Sequence, residues 1–431
     1  MTDTTLDMAL PPAAPDARAD AAFPWFHAAF VLLCLVQFSN AWYWPTHTEF
    51  RSATTPRYEK HFGVPFQYGM WLLIAGTVGL HAARHGLDRV LVTLKPWMLF
   101  WLVGVLAGVL GIQPVASLRH SIFWLVMALS AAVAGVEMSP RQALAAVLGS
   151  MFVLLAGSIV LALLAPSAGT QQYGSTFVWS GAYVSKNQLG WVAALACPIG
   201  LHGLRDPRLR SLSTSVLLAA LACMVFSQSK GAVVAAVAGL GYMVLLATLS
   251  RSFSDGLAAL LAIGTGAGFV GLVKLVLPAV LEMLGRDATL TGRTDIWDVY
   301  FSAMLQTPWL GQGPGAFTGL SAITEKLAAM LADLGGIYTP HNMFLGAFGD
   351  AGVFGLLAFC AVLLHLGVID PMREGTPWSR AMAGLCVVTI VGGMVEAHEV
   401  YTMGVGGFIL VICRAMLVGE RRERPVAEDA P

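Results

Sequence analysis

One histidine lies where it could take a proton from a substrate. His341 stands in Tyr-Thr-Pro-His-Asn, where the longest polar connection of the chain meets an apolar segment. Pro340 stiffens the approach to that segment. Imidazoles titrate near neutral pH, which suits them to general-base catalysis. The alternative is an interfacial histidine that caps the helix or bonds a carbonyl, and the spacing leaves both open.

Arg293 lies in the same connection, directly after a glycine, in Leu-Thr-Gly-Arg-Thr-Asp. A guanidinium next to a glycine can approach a phosphate with its planar fork, and a nearby helix start adds backbone donors. A surface salt bridge to Asp287 or Asp295 explains the residue equally well. Nothing in the spacing decides between these interpretations.

Two lysines flank the starts of apolar segments. Lys186 stands in Ser-Lys-Asn with Asn187, and Lys230 follows Ser229 in Ser-Gln-Ser-Lys-Gly, a turn between two segments. With Arg119 on the same predicted side, they could form a cationic ring for a diphosphate at headgroup depth. Lysines at such positions also snorkel to lipid phosphate, so this alternative stays open.

Other patterns in the chain carry little chemistry. The run Gly-Gln-Gly-Pro-Gly at 311–315 follows no strand and contains Pro314, so it predicts a turn rather than a phosphate loop. No His, Cys, Asp or Glu pattern has metal-ligand spacing, and we expect neither a metal nor another cofactor. The 25 basic and 25 acidic residues balance, which gives no basic face for nucleic acid.

The composition identifies the elements that must position these residues. Hydrophobic residues make up 57% of the chain and charged residues 12%, whereas soluble domains have about 45–50% and about 25%. A spanning helix needs about 20 apolar residues, and such runs recur along the chain. We predict an all-α, polytopic membrane protein with about twelve transmembrane helices. They are placed at 26–44, 66–83, 97–112, 120–136, 142–165, 188–204, 212–227, 231–249, 256–281, 342–368, 380–396 and 403–418.

The basic residues test this topology. With the N-terminus inside, 15 of the 25 Lys and Arg residues fall on the inner side, as the positive-inside tendency requires. The cations left on the outer side invite a search for an anionic ligand there. The only long connection, 282–340, lies on this outer side and has helical patterns at 294–305 and 319–334.

Taken in order, these motifs resemble the O-antigen ligase and polymerase superfamily, which includes bacterial protein O-oligosaccharyltransferases. The resemblance covers roughly residues 170–370. It rests on Ser-Lys186-Asn187, Ser-Gln-Ser229-Lys230-Gly, Leu-Thr-Gly-Arg293 with Trp297, the Gly-Gln-Gly-Pro-Gly run, and His341-Asn342 followed by Gly346, Gly349 and Gly352.

The resemblance implies a GT-C-like, metal-independent, inverting glycosyltransferase at the periplasmic face of the bacterial inner membrane. Its donor would be O-antigen on undecaprenyl diphosphate, and its acceptor a sugar hydroxyl of lipid A-core. His341 matches the family's essential histidine, and Arg293 a loop arginine. The family commonly has arginine where this chain has Lys230, which keeps the charge but loses the bidentate fork.

These inferences give a full set of expectations. His341 and Arg293 are predicted to be catalytic. The predicted substrate-binding residues are Lys186, Asn187, Lys230, Ser229, Arg119 and Asn342. Residues 1–25 are expected to form a cytoplasmic tail, 26–281 transmembrane helices 1–9, 282–341 a large periplasmic loop, 342–418 transmembrane helices 10–12 and 419–431 a cytoplasmic tail. Partners would be the two substrates and membrane lipids, with no nucleic acid.

Two kinds of alternative remain. An O-antigen polymerase or a protein O-oligosaccharyltransferase of the same superfamily would share these motifs, and no residue identifies the acceptor. A transporter or flippase would also suit twelve spans, but ionisable residues inside the predicted spans are scarce. Lys274 is the one basic residue predicted well inside a span, away from its ends, and no chain of acids offers a proton relay.

Overall fold

The computed structural model of the chain describes residues 23–41, 63–173, 175–254, 256–257, 260–261, 264, 293–319, 321–332, 339–394 and 404–423. The first half of this part comprises α1 (Trp25–Phe38), α2 (Gly63–His85), α3 (Asp88–Leu110), α4 (Pro114–Glu137), α5 (Pro140–Leu164), the short α6 (Pro166–Gly169), β1 (Thr170–Tyr173) and β2 (Thr176–Trp179). The second half comprises α7 (Lys186–Gly203), α8 (Arg210–Ser227), α9 (Lys230–Ser252), α10 (Arg293–Met304), α11 (Ala322–Met330), α12 (Met343–Leu364), a π-helical turn (His365–Ile369), α13 (Asp370–Glu374), α14 (Pro377–Gly393) and α15 (Val405–Glu423).

Six helical runs in this part are long and apolar enough to cross a bilayer. They are α3, α4, α5, α8, Lys230–Ser250 of α9, and the run Met343–Glu374 from α12 to α13. Helices in the described ranges occupy eleven of the twelve predicted spans, and the ninth, 256–281 with Lys274, lies almost wholly outside those ranges. The chain is an all-α polytopic membrane protein, as its composition predicted.

Polar side chains cap the starts of several helices. Ser139 accepts the amide of Gln142, whose side chain accepts the Ser139 amide in return, and this capping box starts α5. Ser185 and Thr376 accept first-turn amides at the starts of α7 and α14. Unpaired amides are costly near lipid, so these caps fix where each helix begins.

Small residues let the helices of the bundle approach closely. The nearly buried α7 packs against α8, α9 and α14. A Cβ added to Gly239 of α9 would lie 2.7 Å from the carbonyl oxygen of Gly384 in α14, and one on Gly135 of α4 would lie 2.2 Å from Cβ of Ala415 in α15. Close backbone approach of this kind is typical of helix packing in membranes.

A two-stranded hairpin between α5 and α7 was not predicted. β1 pairs antiparallel with β2, with Thr170 opposite Trp179 and Tyr173 opposite Thr176. The Trp179 ring stacks on Phe226 near the end of α8, with 4.4 Å between ring centroids. The hairpin thus lies over one end of the bundle.

The long connection forms a compact unit, which we call the loop domain (described residues 293–319 and 321–332). Its two helices, α10 and α11, correspond to the two helical patterns predicted there. They share a small apolar core with the start of α12. The core residues are Ile296, Tyr300, Met304, Ala316, Phe317, Leu327, Leu331 and Phe348.

The bundle has two ends that differ in chemistry. At the end that we call the His341 pole, α4, α7, α9 and α12 begin; at the other, the Arg141 pole, α5, α8 and α14 begin. Short turns join α3 to α4, α4 to α5 and α8 to α9, so consecutive helices run in opposite directions. The predicted site residues all belong to the His341 pole.

Candidate active site

His341 adopts a strained backbone just before α12. Its φ is 46°, in the left-handed region that few residues other than glycine occupy, and it is half-buried. The next residue, Asn342, caps α12, because its Oδ1 accepts the amides of Phe344 at 2.9 Å and Leu345 at 3.2 Å. Such strain is found where the surrounding structure fixes a functional side chain.

A tryptophan of the loop domain holds this segment. The indole Nε1 of Trp297 donates to the carbonyl oxygen of Pro340 at 2.9 Å. Trp297 stands one helical turn after Arg293, the first residue of α10, and the side chain of Arg293 lies outside the described residues. The contact therefore brings the helix that starts at Arg293 next to the segment of His341.

The two predicted lysines lie together. Ser229, the residue before Lys230, packs on α7 so closely that a Cβ added to Gly190 would lie 2.5 Å from Cβ of Ser229. Lys186 is only 8% exposed and precedes the apolar part of α7, whereas Lys230 is exposed. Burial lowers the pKa of Lys186, and the neighbouring Lys230 charge lowers it further. Two cations held this close favour an anion between them.

The hairpin fixes the start of α7. The amide of Lys186 donates to Oε1 of Gln171 in β1 at 2.8 Å, and Ser185 caps the helix. Asn187, predicted to bind substrate, is half-buried in the first turn. The neighbouring Gln188 donates from its side chain to the carbonyl of Ser39 at 2.8 Å, so the turn is anchored on both sides.

The end of α14 connects the lysine pair with the histidine segment. A Cβ added to Gly392 would lie 1.8 Å from the ring of Trp191 in α7, and one on Gly393 would lie 2.1 Å from the sulfur of Met343 in α12. The Asn342 side chain also donates to the Met394 carbonyl at 3.4 Å. The first turns of α7 and the start of α12 therefore pack against the same helix end.

Arg119 has a different set of neighbours. It is exposed in α4 and lines a shallow pocket of about 410 Å³ with Gln113 and Pro114. The next residue, His120, lies against the loop domain, because a Cβ on Gly315 would lie 2.6 Å from its Nε2. The structure thus places Arg119 beside the loop domain, while it places Lys186 beside Lys230.

The run at 311–315 is a turn, as predicted, and its partner is a break in α12. Gly352 has a φ of 65°, and the helix that the sequence predicted as continuous over 342–368 is interrupted at this point. The Gln312 amide donates to the Gly349 carbonyl at 3.1 Å, and the Val353 amide to the Pro308 carbonyl at 2.8 Å. The loop domain supplies partners that the broken helix loses.

Asp350 is the residue of this region that the sequence analysis missed. It is fully buried at the break, and its carboxylate accepts the amides of Gly315 at 2.9 Å and Phe317 at 2.8 Å and the hydroxyl of Thr318. Its one sequence signal is an acidic residue between glycines inside an apolar span. Buried carboxylates require such donors, so Asp350 fastens the loop domain to α12.

The arrangement at the His341 pole combines an imidazole, a pair of ammonium groups and a rigid backbone. The imidazole can accept a proton, and the ammonium groups can hold a charged leaving group near the membrane surface. Both are fixed by hydrogen bonds or close packing to elements from distant parts of the chain.

A known protein family matches the part of the chain that contains most of these residues. Residues 215–360 match the family described as Wzy_C, O-Antigen ligase. This stretch contains Ser229, Lys230, Arg293, His341 and Asn342, and it ends before α14. Arg119, Lys186 and Asn187 lie ahead of it.

A curated relative extends the likeness. The exopolysaccharide production protein ExoQ of Rhizobium meliloti (strain 1021) is 28% identical over 291 residues, which cover 63% of this chain and 66% of the relative. The chain therefore spans just under two thirds of that relative's length. The family's members are enzymes, ligases and polymerases. The family match and this relative together support the O-antigen ligase superfamily for this chain.

Proposed function

We propose that the chain is an O-antigen ligase of the bacterial inner membrane. It transfers O-antigen polysaccharide from undecaprenyl diphosphate to a sugar hydroxyl of lipid A-core, at the periplasmic face, without a metal. The His341 pole is the periplasmic one in this proposal. The membrane character and the likeness to the superfamily are findings, and the donor, the acceptor and the orientation are parts of the proposal.

The observation that carries the proposal is the way His341 is held. Its left-handed backbone is bounded on one side by the Trp297 bond to Pro340 and on the other by the Asn342 cap. A side chain fixed in a strained conformation on a pole that also carries a lysine pair suits proton transfer beside an anionic leaving group. A residue that only capped α12 would be redundant, because Asn342 already does so.

The chemical step requires only a base and cations that stabilise the leaving group. The acceptor hydroxyl attacks the sugar C1 opposite the diphosphate, and its proton passes to the His341 imidazole. The C1–O bond to the diphosphate breaks as the new glycosidic bond forms, and the anomeric centre inverts. Lys186, Lys230 and Arg293 stabilise the negative charge that develops on the departing diphosphate, and Arg119 and Ser229 contribute to substrate binding.

Reconstitution of the purified protein tests the proposal. Wild type receives undecaprenyl-diphosphate-linked O-antigen and lipid A-core, without nucleotide or divalent metal, and transfer is followed by gel shift. We use His341→Asn, because asparagine tolerates the left-handed backbone but cannot act as the base. Loss of general-base catalysis is expected to slow transfer about 10²–10⁴-fold.

The matched control is His85→Asn, which changes an exposed histidine at the Arg141 pole. It should transfer at the wild-type rate. If His341→Asn also kept that rate, His341 would not be the base. If wild type failed with substrates that a known ligase accepts, the ligase assignment itself would be wrong.

A polymerase is the second candidate, and the name of the relative favours it. That relative is named for the production of exopolysaccharide, which is a different product from lipopolysaccharide. In a polymerase the acceptor hydroxyl would belong to a second carrier-linked glycan, and the same base and cations would serve. Longer glycan on the carrier, without product on lipid A-core, would identify this activity; product on a protein would identify the oligosaccharyltransferase.

A transporter or flippase belongs to a different class. Its proton or ion pathway would require ionisable side chains available inside the spans. Two acids buried in the described spans are held by fixed partners instead: Asp350 by the loop domain, and Asp370 by Arg414 at 3.1 Å and Arg421 at 3.0 Å. These contacts support the enzyme.

A further inference from the structure

A second cavity opens at the Arg141 pole, at the opposite end of the bundle from His341. Its volume is about 500 Å³, within the range of about 300–1,000 Å³ typical of small-molecule sites. It lies between the α4–α5 turn, the α7–α8 loop, the start of α14 and the end of α15. None of the residues discussed for glycosyl transfer lines it.

The walls of this cavity are rigid. The buried Trp378 donates from its indole to the carbonyl of Cys413 at 2.9 Å, and its ring packs edge-on against His202 with 4.8 Å between centroids. Arg141 forms an ion pair with Asp206 at 2.7 Å, which ties the α7–α8 loop to the start of α5. The cavity is therefore preformed and needs little rearrangement to receive a ligand.

Its acids are already engaged within the chain. Asp206 accepts the Arg208 amide at 2.9 Å as well as the Arg141 guanidinium. Burial raises its pKa, but the Arg208 amide and the Arg141 charge outweigh this and lower the pKa below its usual range. Glu420, at the rim, also has an interaction within the chain. Asp206 is thus a fixed anion whose charge Arg141 compensates.

One cationic group that lines the cavity is available to a ligand. The exposed Arg205 guanidinium has no hydrogen bond or ion pair with any part of the chain that the structure describes. His202 also lines the cavity, but its Nδ1 atom is buried, so a ligand in the cavity does not reach it. A guanidinium is matched by two oxygens of a phosphate.

We propose that this cavity binds the phosphate of an anionic lipid headgroup, with the phosphate oxygens on the Arg205 guanidinium. Because the cavity lies where spanning helices end, the source of this phosphate is the headgroup of a phosphatidylglycerol-type lipid in the adjoining leaflet; basic pockets between helix ends bind such headgroups. A soluble glycerol phosphate shares this chemistry. The inference does not depend on the proposed transferase activity.

The test measures thermal unfolding of the full chain, purified in a mild detergent. One arm adds dioleoylphosphatidylglycerol, a second adds the neutral lipid dioleoylphosphatidylcholine, and a third adds sn-glycerol 3-phosphate. Arg205→Gln removes the cation, and Arg208→Gln is the matched control, because it lies in the same loop but does not line the cavity. Both side chains are exposed, so neither change should alter the unfolding temperature without ligand.

We expect phosphatidylglycerol to raise the unfolding temperature of wild type more than phosphatidylcholine does. Loss of a charged hydrogen bond should increase the half-saturating lipid concentration about tenfold in Arg205→Gln and leave Arg208→Gln unchanged. An Arg205-dependent shift with glycerol 3-phosphate alone would keep the phosphate site and assign its ligand to solution. Equal shifts with both lipids together with no Arg205-dependent shift from glycerol 3-phosphate, or equal behaviour of the two variants in every arm, would overturn the proposal.

Discussion

The indole Nε1 of Trp297 donates a hydrogen bond to the carbonyl oxygen of Pro340 at 2.9 Å. This carbonyl belongs to the peptide unit that joins Pro340 to His341, so the bond fixes the peptide plane from which the φ of His341 is measured. Trp297 is also one turn from Arg293 on α10. One hydrogen bond thus relates the helix of the predicted catalytic arginine to the backbone of the predicted base.

Removing this bond should impair transfer without unfolding the chain. Trp297→Phe keeps an aromatic ring in the loop domain but lacks the donor. We expect transfer to slow by about tenfold, since a lost hydrogen bond costs about 1 kcal/mol and the base loses its alignment. The measurement is kcat in the reconstituted assay. Trp309→Phe, at a ring that is 65% exposed, is the control, and equal rates for the two variants would contradict the role of Trp297.

The lysine pair should act on donor binding. Lys230→Gln removes a charge beside Lys186 and is expected to raise KM for the diphosphate donor about tenfold, as expected for loss of a charged contact. Lys230→Arg restores the charge with a bidentate fork, so its KM should equal or fall below that of wild type. Lys95→Gln, an exposed change at the other pole, controls for net charge. A KM for Lys230→Gln equal to that of this control would exclude a donor contact at Lys230.

Hydropathy predicts the spans well, because lipid imposes length and apolarity on each helix. It did not predict the break at Gly352, since the residues on both sides of it are equally apolar and the partners of the break come from Pro308 and Gln312. The hairpin was missed for a related reason. Its strands have only four residues each, and they are supported by the stacking of Trp179 on Phe226, which is distant in the sequence.

The residue types of the candidate site could be predicted from the sequence, but the geometry that relates them could not. His341, Lys186 and Lys230 are recognisable from motifs that a single sequence displays. Their relative placement depends on contacts between residues far apart in the chain, such as Trp297 with Pro340 or Gly392 with Trp191. Asp350 was not predicted, because the groups that donate hydrogen bonds to its carboxylate lie in a loop 32 to 35 residues earlier in the chain.

The packing of Gly190 on Ser229 gives a prediction about stability. Gly190→Ala places a Cβ 2.5 Å from Cβ of Ser229, so the turn that carries Lys230 must shift. Overpacking of this kind costs about 1–3 kcal/mol, and the displaced Lys230 should weaken donor binding as well. Gly149→Ala in α5 meets nothing within 4 Å and should stabilise its helix slightly. Thermal unfolding in detergent compares the two, and equal midpoints would show that the turn adapts freely.

Asp350 provides the sharpest test of how the loop domain is attached. Asp350→Asn keeps the shape, but its neutral side chain cannot accept the Gly315 and Phe317 amides and the Thr318 hydroxyl as a carboxylate does. Leaving buried donors unsatisfied costs about 1–3 kcal/mol each, so the 313–318 segment should open more often while the backbone bond from Gly313 to Asp350 remains.

Hydrogen exchange at the Gly315 and Phe317 amides should accelerate at least tenfold, whereas Asp88→Asn, an exposed change at the start of α3, should leave it unchanged. Because His120 lies against Gly315 and the loop domain carries Trp297, transfer should also slow in Asp350→Asn. Unchanged exchange at both amides would mean that the apolar core of the loop domain alone holds it on α12.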